Sequence, residues 1–402
     1  PSRGLGDVYK RQKMYYTPNK ENNVFQLVVQ YGAGEREFPK LGYAAQLMNN
    51  AGIMGAYEPQ ELKEELSKLN ATCHVTADDD NLYIIMEGYE ATLPQACQLL
   101  SRQILMPKLD EKQLARLKGS AMGMRQQRKD NVSILNEALR QYMLYGEKSD
   151  YIKELTDKEI YELQISELTG DINRASNYEA KVFFTGTLPF DQVYDILSKN
   201  LPLVANERPS NSPQAKDMMP VTENTVYFLP NNDAEQAQIH LYIPMQKADK
   251  KDDVLRSAFN QYFGLDFTGI VLNEIREKRS MAYTAYAFVG TQGIAGKASY
   301  LRGYIGTQND KANDALDVLM GLVNDMPKNP ERIDNIKSYL RQAMLTSHPS
   351  FRNKAMELVD LGYRGYTDDP AKENLPKVDA LTFDDIVKFY EENIKDLSLI
   401  HI

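Results

Sequence analysis

The segment Leu272–Tyr283, LNEIREKRSMAY, holds the most chemically loaded spacing in the chain. Ile270, Val271 and Ile275 give one apolar flank of a helix, and Arg276 lies one turn beyond Leu272, at the edge of that stripe. Tyr283 opens the strand expected next. A helix C-terminus that runs into a strand can aim both side chains into one cleft. A guanidinium is always charged and offers a planar fork to carbonyls and carboxylates. A phenol adds a donor suited to an oxyanion. The pair also reads more simply, as a basic residue favoured by a helix C-terminal dipole followed by a core tyrosine.

Other reactive residues are sparse. The four histidines are His74, His240, His348 and His401. None stands four residues from another, so no helical pair of imidazoles can form. His74 beside Asp78, Asp79 and Asp80 reads as a polar strand end and an acidic hairpin turn rather than a metal site. His240 reads as a satisfied strand or cleft residue, and His348 belongs to a helix-ending loop. Gly290, Gly293 and Gly296 precede a strand, not a helix, and so form no phosphate fingerprint. Cys73 and Cys97 are expected to be buried free thiols. No GxSxG elbow, P-loop or paired carboxylate in a cleft context supports an independent hydrolase.

Composition narrows the classes further. The chain has 402 residues, 42% hydrophobic and 26% charged, which is globular composition. Lys+Arg is 47 against Asp+Glu 56, a net charge of −9, so nucleic acid is a poor partner. The basic stretch 108–129 reads as a solvated helix face. No apolar run approaches the ~20 residues that span a bilayer, so no membrane span is expected. Residues 1–12, PSRGLGDVYKRQ, and the tail LSLIHI (397–402) resemble translated sequencing-adapter read-through, as in a metagenomic fragment, and are set aside. The natural protein is accordingly expected to be longer at both ends, and the bacterial periplasm and cytoplasm both stay open as its compartment.

The elements that must position these residues form an internal repeat. A Pro-, Ser- and Asn-bearing stretch, 203–224, reads as a linker between a first domain (13–202) and a second (225–396). Each half opens with a strand (VFQLVVQYGAG, 24–34; AQIHLYIPM, 237–245) followed by a helix. Each continues with two strands around a turn (73–89; 282–306) and another helix (93–105; 310–324). Long charged helices (110–130; 329–346) follow, then a late helix whose Thr precedes an acid by three residues: Thr156 to Glu159, Thr382 to Asp385. The first half adds a strand (181–186) and a helix (190–200), and the second copy is truncated before its equivalent strand. The fold class is therefore α+β: two tandem copies of a mostly antiparallel sheet with helices packed on one face.

On LNEIREKRSMAYTAYAF, the chain resembles the insulinase-like or pitrilysin-like zinc metallopeptidases, the inverzincins of the HxxEH class. The resemblance covers essentially the whole core. It implies that Arg276 and Tyr283 hold the substrate main chain and the developing oxyanion beside zinc carried on another half. The family's HxxEH would fall in GYAAQLMNNAG (42–52), at Ala45, Met48 and Asn49, where neither His nor Glu is present. The third ligand, a Glu expected near 118–128, is also missing, since no acid lies between Glu111 and Asp130.

The resemblance thus implies the non-catalytic, substrate-binding half of a zinc metalloendopeptidase, inactive alone. It would close on an HxxEH-bearing catalytic half, in cis or in trans, around an unfolded peptide. Zinc is expected on that partner half and no metal on this chain. The alternative is a non-enzymatic scaffold or binding subunit of the same fold. The retained Arg276 and Tyr283 count against it.

Overall fold

The computed structural model describes residues 13–128, 131–201, 208–231, 234–265 and 267–395. The adapter-like segments 1–12 and 397–402 lie outside them, as do residues 202–207 of the linker region. Contacts divide the chain into two compact units. One comprises Pro1–Lys129, Glu154–Gln214 and Pro349–Val359; the other comprises Asp130–Lys153, Ala215–His348 and Asp360–Ile402.

The first unit is built on a sheet of strands β1 (Lys13–Pro18), β2 (Val24–Tyr31), β3 (Thr72–Ala77), β4 (Leu82–Tyr89) and β5 (Ala180–Gly186), in the order β1-β5-β2-β4-β3. Only the β1–β5 pair is parallel. Alternation along β2 sends Phe25, Leu27, Val29 and Tyr31 to one face, where helices Leu41–Met48, Leu93–Leu105, Ile165–Ala175 and Phe190–Asn200 bury them. Val28 and Phe183 point the other way and meet Ala355, Met356 and Val359. The β3–β4 hairpin turns where Asp78 Oδ1 accepts the backbone N–H groups of Asp80 (2.8 Å) and Asn81 (2.7 Å).

The second unit is built on three antiparallel strands, β6 (Gln236–Lys247), β7 (Ala282–Thr291) and β8 (Ala298–Gln308), ordered β6-β8-β7. Leu241, Ile243, Ala285, Ala287, Val289, Leu301 and Ile305 face a core closed by helices Asp253–Phe263, Ala312–Asn324, Ile333–Thr346, Pro370–Ala380 and Phe383–Asn393. A Cβ on Gly303 would stand 3.1 Å from both Leu241 Cβ and Leu319 Cδ2, so the missing side chain lets helix 312–324 lie close on β8. On the opposite face Tyr242 packs against Met143 and Leu144 of helix Val132–Tyr145. The expected helical layer is present in both units, and each sheet carries an additional helical segment on its other face.

The strands and helices expected in each half occur where the periodicity places them, including both Thr-capped late helices. Thr156 and Glu159, and Thr382 and Asp385, form reciprocal capping boxes. Strand β1 and the helices 59–68, 132–145, 165–175, 354–363 and 370–380 are additions to the sequence reading. Within the linker region, 208–224 holds no helix or regular strand, yet it is tied down. Asn211 N–H donates to Gly32 O at 2.8 Å, and Met219 N–H donates to Leu144 O at 2.7 Å. Among the described residues no helix is long and apolar enough to cross a membrane.

Candidate functional site

Ile270, Val271, Leu272 and Ile275 are all buried in the second core, as their spacing requires. The helix they begin widens after Leu272 into a π-helical turn, Asn273–Glu277, in which Lys278 N–H reaches back to Asn273 O at 3.0 Å. Glu274 anchors the end of this turn, pairing with Lys278 and Arg279 at 2.6 Å each. These hydrogen bonds and charges hold its carboxyl below the usual range. Ser280, at φ +51°, reverses the chain, and its N–H donates to Arg276 O at 2.9 Å.

Strand β7 then begins irregularly. Thr307 pairs with Ala282 and the adjacent Gly306 with Thr284, so Tyr283 is the unpaired residue of a β-bulge. A bulge redirects its extra side chain, and Tyr283 stands 75% exposed on a strand whose alternate residues are core. The Arg276 guanidinium lies 5.5 Å from the centre of its ring. Arg276 Nε is 3.6 Å from Glu277 Oε1, and the arginine side chain is 37% exposed. A charged fork and a phenol are therefore held side by side at the surface of this unit. They can donate to carbonyl oxygens or to a developing oxyanion. They supply neither a nucleophile nor a base.

The degenerate motif positions are committed to structure. Ala45 and Met48 are buried in the first core. Asn49 turns its amide to strand β3, where Nδ2 donates to Val75 O at 2.9 Å and Oδ1 accepts Val75 N–H at 2.7 Å. Among the described residues, no group of three or more His, Cys, Asp and Glu stands together as a ligand set.

His74 is exposed, and Asp79 and Asp80 of the neighbouring turn pair with Arg36. Two arginines on the basic face of helix Glu111–Arg128 are spent on acids: Arg125 pairs with Asp157 at 2.7 Å and Arg128 with Glu154 at 2.8 Å. Cys73 and Cys97 are free thiols, both pushed up to about 12 by burial.

His240 departs from expectation. It is buried, but neither ring nitrogen has a hydrogen-bond partner. Burial, reinforced by the nearby Arg302 and Arg140 charges, pushes its imidazole down to about 4. Nothing in a single strand's alternation announces this. It arises from what strand β8 and helix 132–145 bring to the ring.

Residues 176–340, which include Arg276 and Tyr283, match the family described as the peptidase M16 inactive domain. No curated protein sequence matches the chain. Among solved structures, the fold resembles a peptidase M16 inactive domain from Pseudomonas fluorescens (TM-score 0.74, 16% identity, covering 100% of this chain and 96% of that one). It also resembles the periplasmic protease PqqL from Escherichia coli (TM-score 0.74, 13% identity), where it covers 100% of this chain and 46% of the longer one. The ferredoxin protease FusC, solved as a mutant in complex with Arabidopsis ferredoxin, is similar at TM-score 0.74 and 12% identity, with 97% and 43% covered.

Proposed function

We propose that this chain, whose residues 176–340 match the peptidase M16 inactive-domain family, is the substrate-holding half of a zinc metalloendopeptidase. It would present Arg276 and Tyr283 to the main chain of a peptide lying at a zinc site on an HxxEH-bearing half. The observation that carries this reading is the bulge. A tyrosine lifted out of the β7 alternation and set 5.5 Å from an arginine on a π-helical turn is an arrangement the core does not need. Water activation and the metal belong to the partner half, because Ala45, Met48 and Asn49 are taken up by packing and by Val75. A protein or peptide substrate is supported by a neighbour of this fold that is a protease in complex with ferredoxin.

The test begins at the native locus. An HxxEH half encoded in frame or in a neighbouring frame would be co-expressed with this chain and assayed on an unfolded peptide. The chain alone is expected to be inactive and the pair active. Arg276→Ala and Tyr283→Phe are each expected to lower kcat/KM roughly 10²-fold, the scale of losing one oxyanion donor. Full activity in both variants would sink the proposal. The commitment of Ala45 and Met48 to core and of Asn49 to a sheet edge favours a second reading, a non-catalytic scaffold of the same fold. A locus without any HxxEH half, together with variants that leave complex assembly unchanged, would support it.

A further inference from the structure

A second unusual feature lies on the outward face of the second sheet. His240 on β6 is 8% exposed, with both ring nitrogens unbonded, although a neutral imidazole keeps one N–H donor and one acceptor. Tyr304 of β8 stands directly opposite it, the two rings 5.2 Å apart. Two residues along β8 comes Arg302, whose Nε is buried without a hydrogen bond and whose guanidinium lies 6.0 Å from the Phe288 ring. No carboxylate among the described residues pairs with Arg302.

The charges acting on His240 are Arg302, Arg140 and Glu137. Glu137 is hydrogen-bonded to Arg140, accepting its Nε–H at 2.6 Å and a second guanidinium N–H beside it, while the Arg302 charge acts on it without an ion pair. One positive charge is therefore left over beside unfilled donors. A carboxylate matches that deficit, since its two oxygens accept from an arginine fork and from an imidazole N–H together.

We propose that Arg302 and His240 form a carboxylate-binding subsite, which takes either an acidic side chain or the C-terminal carboxylate of an extended peptide. That the carboxylate belongs to a peptide rests on the substrate-holding reading above. The subsite itself does not. Phe288, against which Arg302 lies, is five residues along β7 from Tyr283. At a strand rise of about 3.3 Å per residue the two anchors are roughly 16 Å apart, the reach of four to five extended peptide residues.

The test uses the full chain, following the His240 ring signals by NMR, assigned with His240→Gln. Sodium acetate is titrated against matched sodium chloride. Three peptides of one sequence follow: an amidated one with an internal Glu, its Gln counterpart, and that Gln peptide with a free C-terminus. Acetate is expected to shift the His240 signals and raise the pH at which they titrate. Arg302→Gln is expected to weaken this at least about tenfold. Arg302→Lys, which keeps the charge, controls for folding and should retain part of the response.

Tighter binding of the Glu peptide would identify a side-chain carboxylate, and of the free-C-terminus peptide a chain end. Acetate binding with no gain from either would overturn the peptide assignment. His240 signals indifferent to acetate, or unchanged in Arg302→Gln, would overturn the subsite. Either result leaves the Arg276 and Tyr283 assay unaffected, so the two readings fail separately.

Discussion

Asn49 brackets the main chain of Val75, donating to its carbonyl at 2.9 Å and accepting its N–H at 2.7 Å. Val75 lies on β3, the last strand of its sheet, whose outward N–H and C=O groups would otherwise be open to another strand. This chain uses a side-chain amide to close a sheet edge.

Asn49→Ala is expected to destabilise the protein by about 1–3 kcal/mol, because it leaves both Val75 groups without their partner. Urea denaturation gives the loss, and amide hydrogen exchange locates it. Protection at Val75 should fall while protection on β2 holds. Unchanged exchange at Val75 would refute the bracket's role.

Arg276→Ala and Tyr283→Phe should behave oppositely. Both side chains are solvent-accessible, and their stacking contributes only about 0.5–1 kcal/mol. Thermal melts should therefore stay close to wild type. A collapse in stability would assign the pair to structure and weaken its functional reading.

His240 gives the fold an acid liability. Its imidazole is held at about 4, against an ordinary value of 6.5, so the folded protein keeps it neutral over a range in which the unfolded chain protonates it. Its contribution is fully present above pH 6.5. It is lost as pH falls towards 4, up to about 3 kcal/mol if the whole depression is realised. His240→Gln should flatten the stability difference between pH 7 and pH 4. Parallel wild-type and variant curves would show that the ring is not held neutral.

Gly303→Ala tests the packing of the second unit. The new Cβ would meet Leu241 and Leu319 at 3.1 Å, and overpacking of this kind costs about 1–3 kcal/mol. A denaturant midpoint equal to wild type would mean that helix 312–324 moves away freely.

The thiols should be silent. With Cys73 and Cys97 both pushed up to about 12, neither supplies thiolate at neutral pH. Ellman's reagent is expected to react with both only after denaturation. Rapid labelling of Cys97 in the folded protein would contradict its burial.

The strands and the capped helices were legible in the sequence because they rest on local signals. Alternation along 24–31, the apolar spacing of 253–263 and the Thr–acid pairs at 156–159 and 382–385 each act within a few residues. The proximity of Arg276 to Tyr283 was legible for the same reason, with a single turn between them. Which sheet helix 132–145 would join was not legible, nor that 349–359 would cover Val28 and Phe183. Such choices depend on apolar faces that meet only once distant segments are brought together.

The bulge at Tyr283 and the unbonded nitrogens of His240 belong to the same class. One is fixed by the register of β8 against β7, the other by Arg302 and helix 132–145 around β6. The sequence alone determined which reactive residues this chain carries, and that HxxEH is not among its motifs. Tertiary structure decided which of those residues stand exposed, paired or unsatisfied, because burial and electrostatic potential are set by neighbours far away along the chain.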